Sequence, residues 1–424
     1  MLHSLQSWWK ALVVQRNEQA AFLGLFSVFC FYTVFFSSGY GFREVLPPLA
    51  GIFLLLLYTR AYKQSNLFLF PEKRLLLLFG LFLLLSIVCS NDPWASFLHV
   101  GRGVNKQFLV FFIALECARS EKNVRTIAWV LLLACYLQGL CCLHQYCTGH
   151  DIIHNDTLRA GRLTGTMAWY WVGSYLLLAA IPACGLWKEI RAKFELGIAL
   201  FILSALALPI AFGILFGGAR ASYLALLAAV SIVLLLTVQR SIAKRIVLVL
   251  LPLLVLALLL FLFGEGRLSL TTIVNDSRLT LWGYSLDVWR TAPCTGVGAW
   301  QYNPVLQTLP YAASAPHELI HLSHPHNVYL QVLCETGILG FLLCFSSIFG
   351  LLLFCAQRIL QARATNPLAH LAFFFWLACL AFLVHGTVGH DFFRPWYQTL
   401  FFSHLGVALG ASLHIPKTEC SSPA

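Results

Sequence analysis

Unbroken apolar runs recur from one end of this chain to the other. Residues 75–88 read LLLLFGLFLLLSIV, and comparable blocks follow at intervals of a few tens of residues. In hydrocarbon every backbone N–H and C=O has to find its partner within the protein, which leaves helices or a closed barrel as the only spanning structures. Barrel strands alternate apolar and polar residues, and these runs do not alternate, so the expected fold is all-α. Hydrophobic residues make up 59% of the 424 positions and charged ones only 11%. A water-soluble domain could not hide that much apolar surface. The chain reads as a polytopic membrane protein, a single integral membrane domain over 1–424.

Candidate spans lie at roughly 20–37, 46–59, 75–90, 104–118, 126–146, 167–187, 196–215, 221–238, 246–263, 327–355, 368–386 and 395–412. That is about twelve transmembrane helices, an even number that returns both termini to one side. The formal charge of +11 invites a nucleic-acid reading, but 18 of the 28 Lys and Arg residues fall in alternate connections. The connections around Lys63, Lys122, Lys193, Lys244 and Arg363 belong to that set. Such asymmetry is the positive-inside signature, so the charge is largely topological and no nucleic-acid partner is expected. Both termini are then cytoplasmic, and the long connection 264–326 is a large outer loop. Long structured loops in otherwise tight chains are usually functional. Most of the 14 cysteines sit in apolar runs as small hydrophobes. Cys147 and Cys294 fall in expected outer loops, where a disulfide is one option.

The unusual chemistry is concentrated between Asn275 and Gly340. Asn275, Asp276 and Ser277 offer N-caps for a helix that Pro293 would end. Leu279, Trp282, Leu286 and Trp289 recur at helical spacing as one apolar stripe, with Arg278 at its edge, as in a helix lying along a membrane interface. Arg278 then faces lipid headgroups, either as a ligand for them or as a snorkelling side chain. Arg220, in FGGARASYLAL, lies between two apolar runs behind Gly217 and Gly218, and an arginine there is costly unless it meets an anion. Its planar fork suits a phosphate. Arg159 and Arg162, in NDTLRAGRLTGTMAW, repeat the theme. These outer arginines lack obvious matching carboxylates, which points to an anionic lipid-linked group such as a diphosphate; ordinary ion pairing is the plainer alternative.

His326 closes SHPHN at the mouth of the run VYLQVLCETGILG. The positive end of a helix dipole disfavours imidazolium, and a neutral imidazole within reach of water is a competent general base. Asn327 would cap the helix or orient the ring, and His324 is a second candidate base; a histidine that merely sits at a helix start is the bland reading. His317 and His321 extend the cluster without metal-ligand spacing. Glu335, nine residues past His326, falls on roughly the opposite helix face and reads as structural. His385, His390, Asp391 and Arg394 in the last outer connection are further candidates for lining the same cleft.

In this order, GGARASYLAL, SRLTLWGYSLDVWRTAPCTGVGAWQYNP and HPHNVYLQVLCETGILG, the motifs resemble the O-antigen ligase and polymerase superfamily of bacterial inner-membrane proteins. GRLTGTM is similar to the family's upstream arginine–glycine motif, although Ala168-Trp169 replaces the Asn-Pro that often follows. The resemblance implies a glycosyltransferase of the GT-C type that works without metal, cofactor or nucleotide sugar. Its donor is a glycan on undecaprenyl diphosphate at the periplasmic face. Carried over residue by residue, His326, Arg278 and Arg220 are the expected catalytic residues. Arg162, Arg159, His324 and Asn327 are the expected substrate-binding ones. Ligases of the family pass the glycan to a sugar hydroxyl of the lipid A-core; polymerases join lipid-linked repeat units. Members acting on protein usually carry a long C-terminal extension, and with the compact outer loop the expectation here is a ligase, with polymerase as the alternative. A lipid-linked glycan transporter would show internal repeats and ionisable residues near the bilayer midplane. A peptidoglycan-type polymerase would use an acid in the outer loop, for which Glu265, Asp276, Asp287 and Glu318 are available.

Overall fold

A computed structural model describes residues 16–36, 40–158, 161–167, 171–237, 276–389 and 395–416. Among the described residues the secondary structure is helical with no strand. A helix stands at each expected span that falls there: α1 (Arg16–Phe35), α2 (Tyr40–Arg60), α3 (Lys73–Val88), α4 (Pro93–Cys117), α5 (Glu121–Thr148), α6 (Val172–Ala183), α8 (Leu196–Phe216), α9 (Arg220–Thr237), α11 (Val328–Ala362), α12 (Pro367–His385) and α13 (Pro395–Leu413). A short helix, α7 (Trp187–Lys193), connects α6 to α8, and α10 (Ser277–Thr291) lies in the long loop. The expected span 246–263 lies outside the described residues, as do Arg159, Glu265, Asn275, His390, Asp391 and Arg394. Four helices, α5, α8, α11 and α12, are by length and composition long and apolar enough to cross a membrane. The protein is thus a polytopic helical membrane protein.

Helix starts follow the sequence. Asp92, Ser120, Asp276, Asn327 and Asn366 each accept a backbone N–H in the first turn of the helix they precede, so orphan donors are satisfied by side chain. Close helix approach follows small residues. A Cβ added at Gly406 or Gly410 of α13 would strike the carbonyl oxygen of Phe111 or Leu115 on α4. Two glycines four residues apart let those backbones meet, the contact that holds helices together where no hydrophobic effect operates between them.

One helix is broken on purpose. At 35 residues α11 would run about 52 Å if straight, well beyond a hydrocarbon core of about 30 Å. It kinks at Gly337, whose φ of 62° and ψ of −171° are glycine territory. The freed backbone groups are taken by the loop after α10. Val297 N donates to Cys334 O (3.0 Å), Gly298 N to Glu335 O (2.8 Å), Ile338 N to Pro293 O (3.0 Å) and Leu339 N to Cys294 O (3.1 Å). The glycines of the TGVG and ETG motifs exist for this contact, because a Cβ at Gly296 would strike Thr336 and one at Gly337 would strike Cys294.

The connections sort to two ends. At one, Thr166 donates to Phe35 O, Asn91 N to Val297 O and Ser96 Oγ to Ala299 O, so the end of α1 meets the connection between α5 and α6, and the α3–α4 turn meets the loop after α10. At the other, the buried Glu116 carboxylate accepts from Asn66 N (2.8 Å) and Leu67 N (3.0 Å) and pairs with Arg119. There Lys188 also reaches Arg363 O at 3.5 Å. The second end thus gathers basic residues of the charge-rich set, and the first carries the candidate site. Cys147 and Cys294 are both free thiols and exposed.

Candidate functional site

Arg220 opens α9 and Asp276 caps α10, and the two side chains meet: Arg220 Nη1 donates to Asp276 Oδ2 at 2.9 Å. The other carboxylate oxygen accepts the Arg278 backbone N–H (3.0 Å) and stands 3.9 Å from Arg278 Nε. Two guanidinium groups from segments 58 residues apart in sequence therefore flank one carboxylate. All three side chains keep between 23% and 34% of their surface open, so an anion can reach them. This corrects the expectation that the arginines lack a matching carboxylate. Asp276 is legible as a cap, but its pairing with a residue so far back leaves no local signal.

Arg278 reaches further. Its Nη1 donates to Val388 O (2.7 Å), in the turn that follows α12. The same turn receives Val328 N on Gly386 O (2.8 Å), which docks the start of α11. A Cβ placed on Gly389 would lie 3.5 Å from that of Ala221, next to Arg220, and 3.1 Å from the His385 ring. Residues 386–389 thus touch the segments of Arg220, Arg278 and His326 alike, acting chiefly through carbonyl oxygens that no sequence motif marks.

The histidine loop is tied to α10 directly: Trp282, one turn past Arg278, donates its indole N–H to Pro325 O at 3.1 Å. His326 has a φ of 52°, in the left-handed region that histidine enters more readily than most residues. Its ring lies against that of His324, with centroids 4.3 Å apart. The two differ in access. His324 is 5% exposed, with Nδ1 3.1 Å from Ser323 Oγ, whereas His326 is half-buried. His326 is therefore the ring that an incoming group can touch. Asn327 caps α11, its Oδ1 accepting from Tyr329 N (3.0 Å) and Leu330 N (3.1 Å). His317 and His321 pair with each other on the exposed side of the loop, where Gln307 lies 3.3 Å from His321 Nδ1.

Arg162 joins from a strap between α5 and α6. Leu163 N donates to Phe216 O (3.3 Å), and the Arg162 side chain lies over Gly218, its Cγ and Cδ 3.6 Å from where a Cβ would be. Gly218 has a φ of 63°, a backbone conformation that disfavours any side chain there, while the arginine above it makes ordinary van der Waals contact. The strap is held by Gln145 of α5. Its Oε1 accepts from Thr164 N (2.9 Å) and Gly165 N (3.0 Å), and its Nε2 donates to Thr164 Oγ1 (2.9 Å).

The face that α10 buries differs from the expected stripe. Leu281, Ser285 and Val288 pack inward, while Leu279 and Leu286 are 55% and 37% exposed. Trp282 and Trp289 lie half-buried between the two faces. Below α10 the loop folds on its own small core of Val288, Val297, Tyr302, Leu306, Ile320 and Cys334. Tyr311 donates to Asp287 (2.9 Å) and Tyr302 shares a hydrogen bond with Ser285 (2.9 Å). Burial pushes both phenols up, and for Tyr311 the Asp287 carboxylate adds to it, so both stay protonated. Glu335 is fully buried behind this loop, its backbone carbonyl held by Gly298 N.

At this end of the helices two arginines flank one carboxylate, and the histidine loop is tied to the helix of Arg278 through Trp282. Residues 204–345 match the O-antigen ligase family, so the likeness covers the segment from α8 to the first half of α11. The matched segment includes Arg220, Asp276, Arg278, His324 and His326 and leaves out Arg162. The family covers ligases and polymerases, enzymes of the glycosyltransferase kind that act on lipid-linked glycans. No curated protein matches the chain.

Proposed function

We propose that this protein is an O-antigen ligase of a bacterial inner membrane. It transfers a glycan from undecaprenyl diphosphate to a sugar hydroxyl of the lipid A-core on the periplasmic side, with both termini cytoplasmic. What carries the reading is the meeting of the Arg220, Arg278 and His326 segments on the turn 386–389, in a chain of this family. The exposed Leu279 and Leu286, seven residues apart on one face of α10, suit a helix resting on lipid beside the site.

In this mechanism His326 takes the proton from the acceptor hydroxyl. The hydroxyl oxygen bonds to the anomeric carbon from the face opposite the diphosphate. The old carbon–oxygen bond breaks, and its electron pair leaves with undecaprenyl diphosphate, so the configuration inverts. Arg220 and Arg278 stabilise the charge that grows on the leaving phosphate, supported by Arg162 and Arg159. His324 and Asn327 border the substrate: one packs on the base, the other fixes the helix start beneath it. A single preorganised donor aimed at developing charge is worth roughly 10²–10³ in rate, and a general base roughly 10²–10⁴.

Deleting the gene and examining lipopolysaccharide on gels tests the reading. Core without any O-antigen, with lipid-linked polymer accumulating, is the expected result. Core bearing a single repeat unit makes the protein a polymerase, and unchanged lipopolysaccharide refutes both. Within the ligase reading, His326→Ala is expected to lower transfer about 10²–10⁴-fold with the protein still in the membrane. Normal O-antigen from His326→Ala, with none from His324→Ala, moves the base two residues back.

A further inference from the structure

We infer that Asp276 is the internal anion of this site and sets the charge a ligand must bring, so that a diphosphate enters and the single phosphates of ordinary lipid headgroups do not. The inference rests on reading Arg220 and Arg278 as the diphosphate site. A pair of arginines at a bilayer surface faces a selectivity problem. Phosphodiester headgroups surround it in great excess, each with one negative charge, and basic residues attract them. Arginine forks bind such phosphates well, and a bare pair would be occupied by bulk lipid.

Asp276 answers that problem by position. Its carboxylate stands between the two guanidinium groups, 2.9 Å from Arg220 Nη1 and 3.9 Å from Arg278 Nε. The Arg220–Asp276–Arg278 group thus carries two positive charges against one negative. A ligand with one charge gains little there, because it replaces an anion already in place and loses its own hydration. A diester of diphosphate carries charge on two adjacent phosphates, enough to engage both forks at once. Asp276 cannot leave entirely, since its Oδ1 also holds the first turn of α10 through Arg278 N. The competition therefore stays built in and does not depend on a mobile segment.

Asp276→Asn separates the two duties. Asparagine caps a helix about as well as aspartate but brings no charge to the arginines. The full-length protein, wild type and variant, is placed in nanodiscs of zwitterionic phosphatidylcholine or of anionic phosphatidylglycerol, and binding of farnesyl diphosphate is measured in each. For the wild type, the dissociation constant is expected to change little between the two lipids. For Asp276→Asn it is expected to rise roughly tenfold in phosphatidylglycerol, the size of one charge-assisted contact at a partly open site. Equal lipid sensitivity in both proteins overturns the inference. So does a variant that loses diphosphate affinity in both lipids, which would make Asp276 a support for the arginines and nothing more. A wild-type protein that binds no diphosphate in either lipid overturns the diphosphate reading itself, so the two failures are distinct.

Discussion

Gly337→Ala removes no charged group and touches no candidate site residue, yet it should silence the protein. The native backbone there has φ 62° and ψ −171°, a region essentially closed to residues with a Cβ. Forcing alanine into it costs about 1–3 kcal/mol. The new methyl would also overlap the backbone of Cys294, which cannot swing aside as a side chain would. Relief requires the 293–298 loop to withdraw from the kink. That forfeits the four backbone hydrogen bonds linking Pro293, Cys294, Val297 and Gly298 to α11, at about 1 kcal/mol each. The total of about 5–7 kcal/mol is a large part of what holds any domain folded. The loss falls between α10, which carries Arg278, and the half of α11 that begins beside His326. Transfer of O-antigen to core in a deletion strain, normalised to membrane-inserted protein, is the assay, with protease sensitivity of the purified protein beside it. Gly283→Ala is the control: it sits inside α10 with open space where its Cβ would go, so alanine should be neutral or slightly stabilising, by up to about 1 kcal/mol. If Gly337→Ala supports wild-type transfer and resists protease like wild type, the loop–kink contact does not hold the site together.

Arg278→Lys should fall about 10²–10³-fold in transfer while remaining in the membrane. A lysine ammonium cannot serve Val388 O and a phosphate with the geometry of a fork, and full activity in the gel assay would refute that. Gln145→Leu leaves every charged group in place but removes the acceptor of two backbone N–H groups and a donor to Thr164. Their loss should free the strap and displace Arg162, giving transfer lowered about tenfold, the worth of one or two such bonds, with Arg162→Ala adding little on top. Independent, additive effects of the two changes would separate the strap from the site.

Much of the frame could be read from the chain because each element announces its own ends. Asp276 and Pro293 bracket α10, and Asn327 opens α11 where SHPHN meets an apolar run. What stayed hidden has a physical cause in each case. Periodicity marks an apolar stripe on α10 but not whether protein or lipid covers it, since both are apolar; the protein takes Leu281, Ser285 and Val288 instead. The pairing of Arg220 with Asp276 spans 56 residues and depends on where two helix starts happen to meet. The TGVG and ETG glycines are conspicuous singly, but only the folded chain brings them face to face. The turn 386–389 works through main-chain oxygens, which every residue possesses and none advertises.

Beneath that turn lies a feature an apolar bundle should avoid. His385, at the end of α12, is 1% exposed, and its Nε2 lies 2.9 Å from Ser174 Oγ of α6, which in turn lies 2.9 Å from Ser222 Oγ of α9. Polar side chains in such surroundings are costly unless they meet one another, so the three helices can satisfy them in one register only. A slide of α9 along its neighbours would strand a hydroxyl away from water, at about 1–3 kcal/mol for each group left without a partner. Ser222 is two residues past Arg220, and the His385 ring packs against Gly389 of the turn whose Val388 carbonyl holds Arg278. The same chain of contacts therefore fixes the height of both arginines relative to each other. Apolar packing alone tolerates small slides, because one methyl replaces another. Placing two forks around one carboxylate does not, and that difference accounts for a histidine and two serines where leucine would be the default.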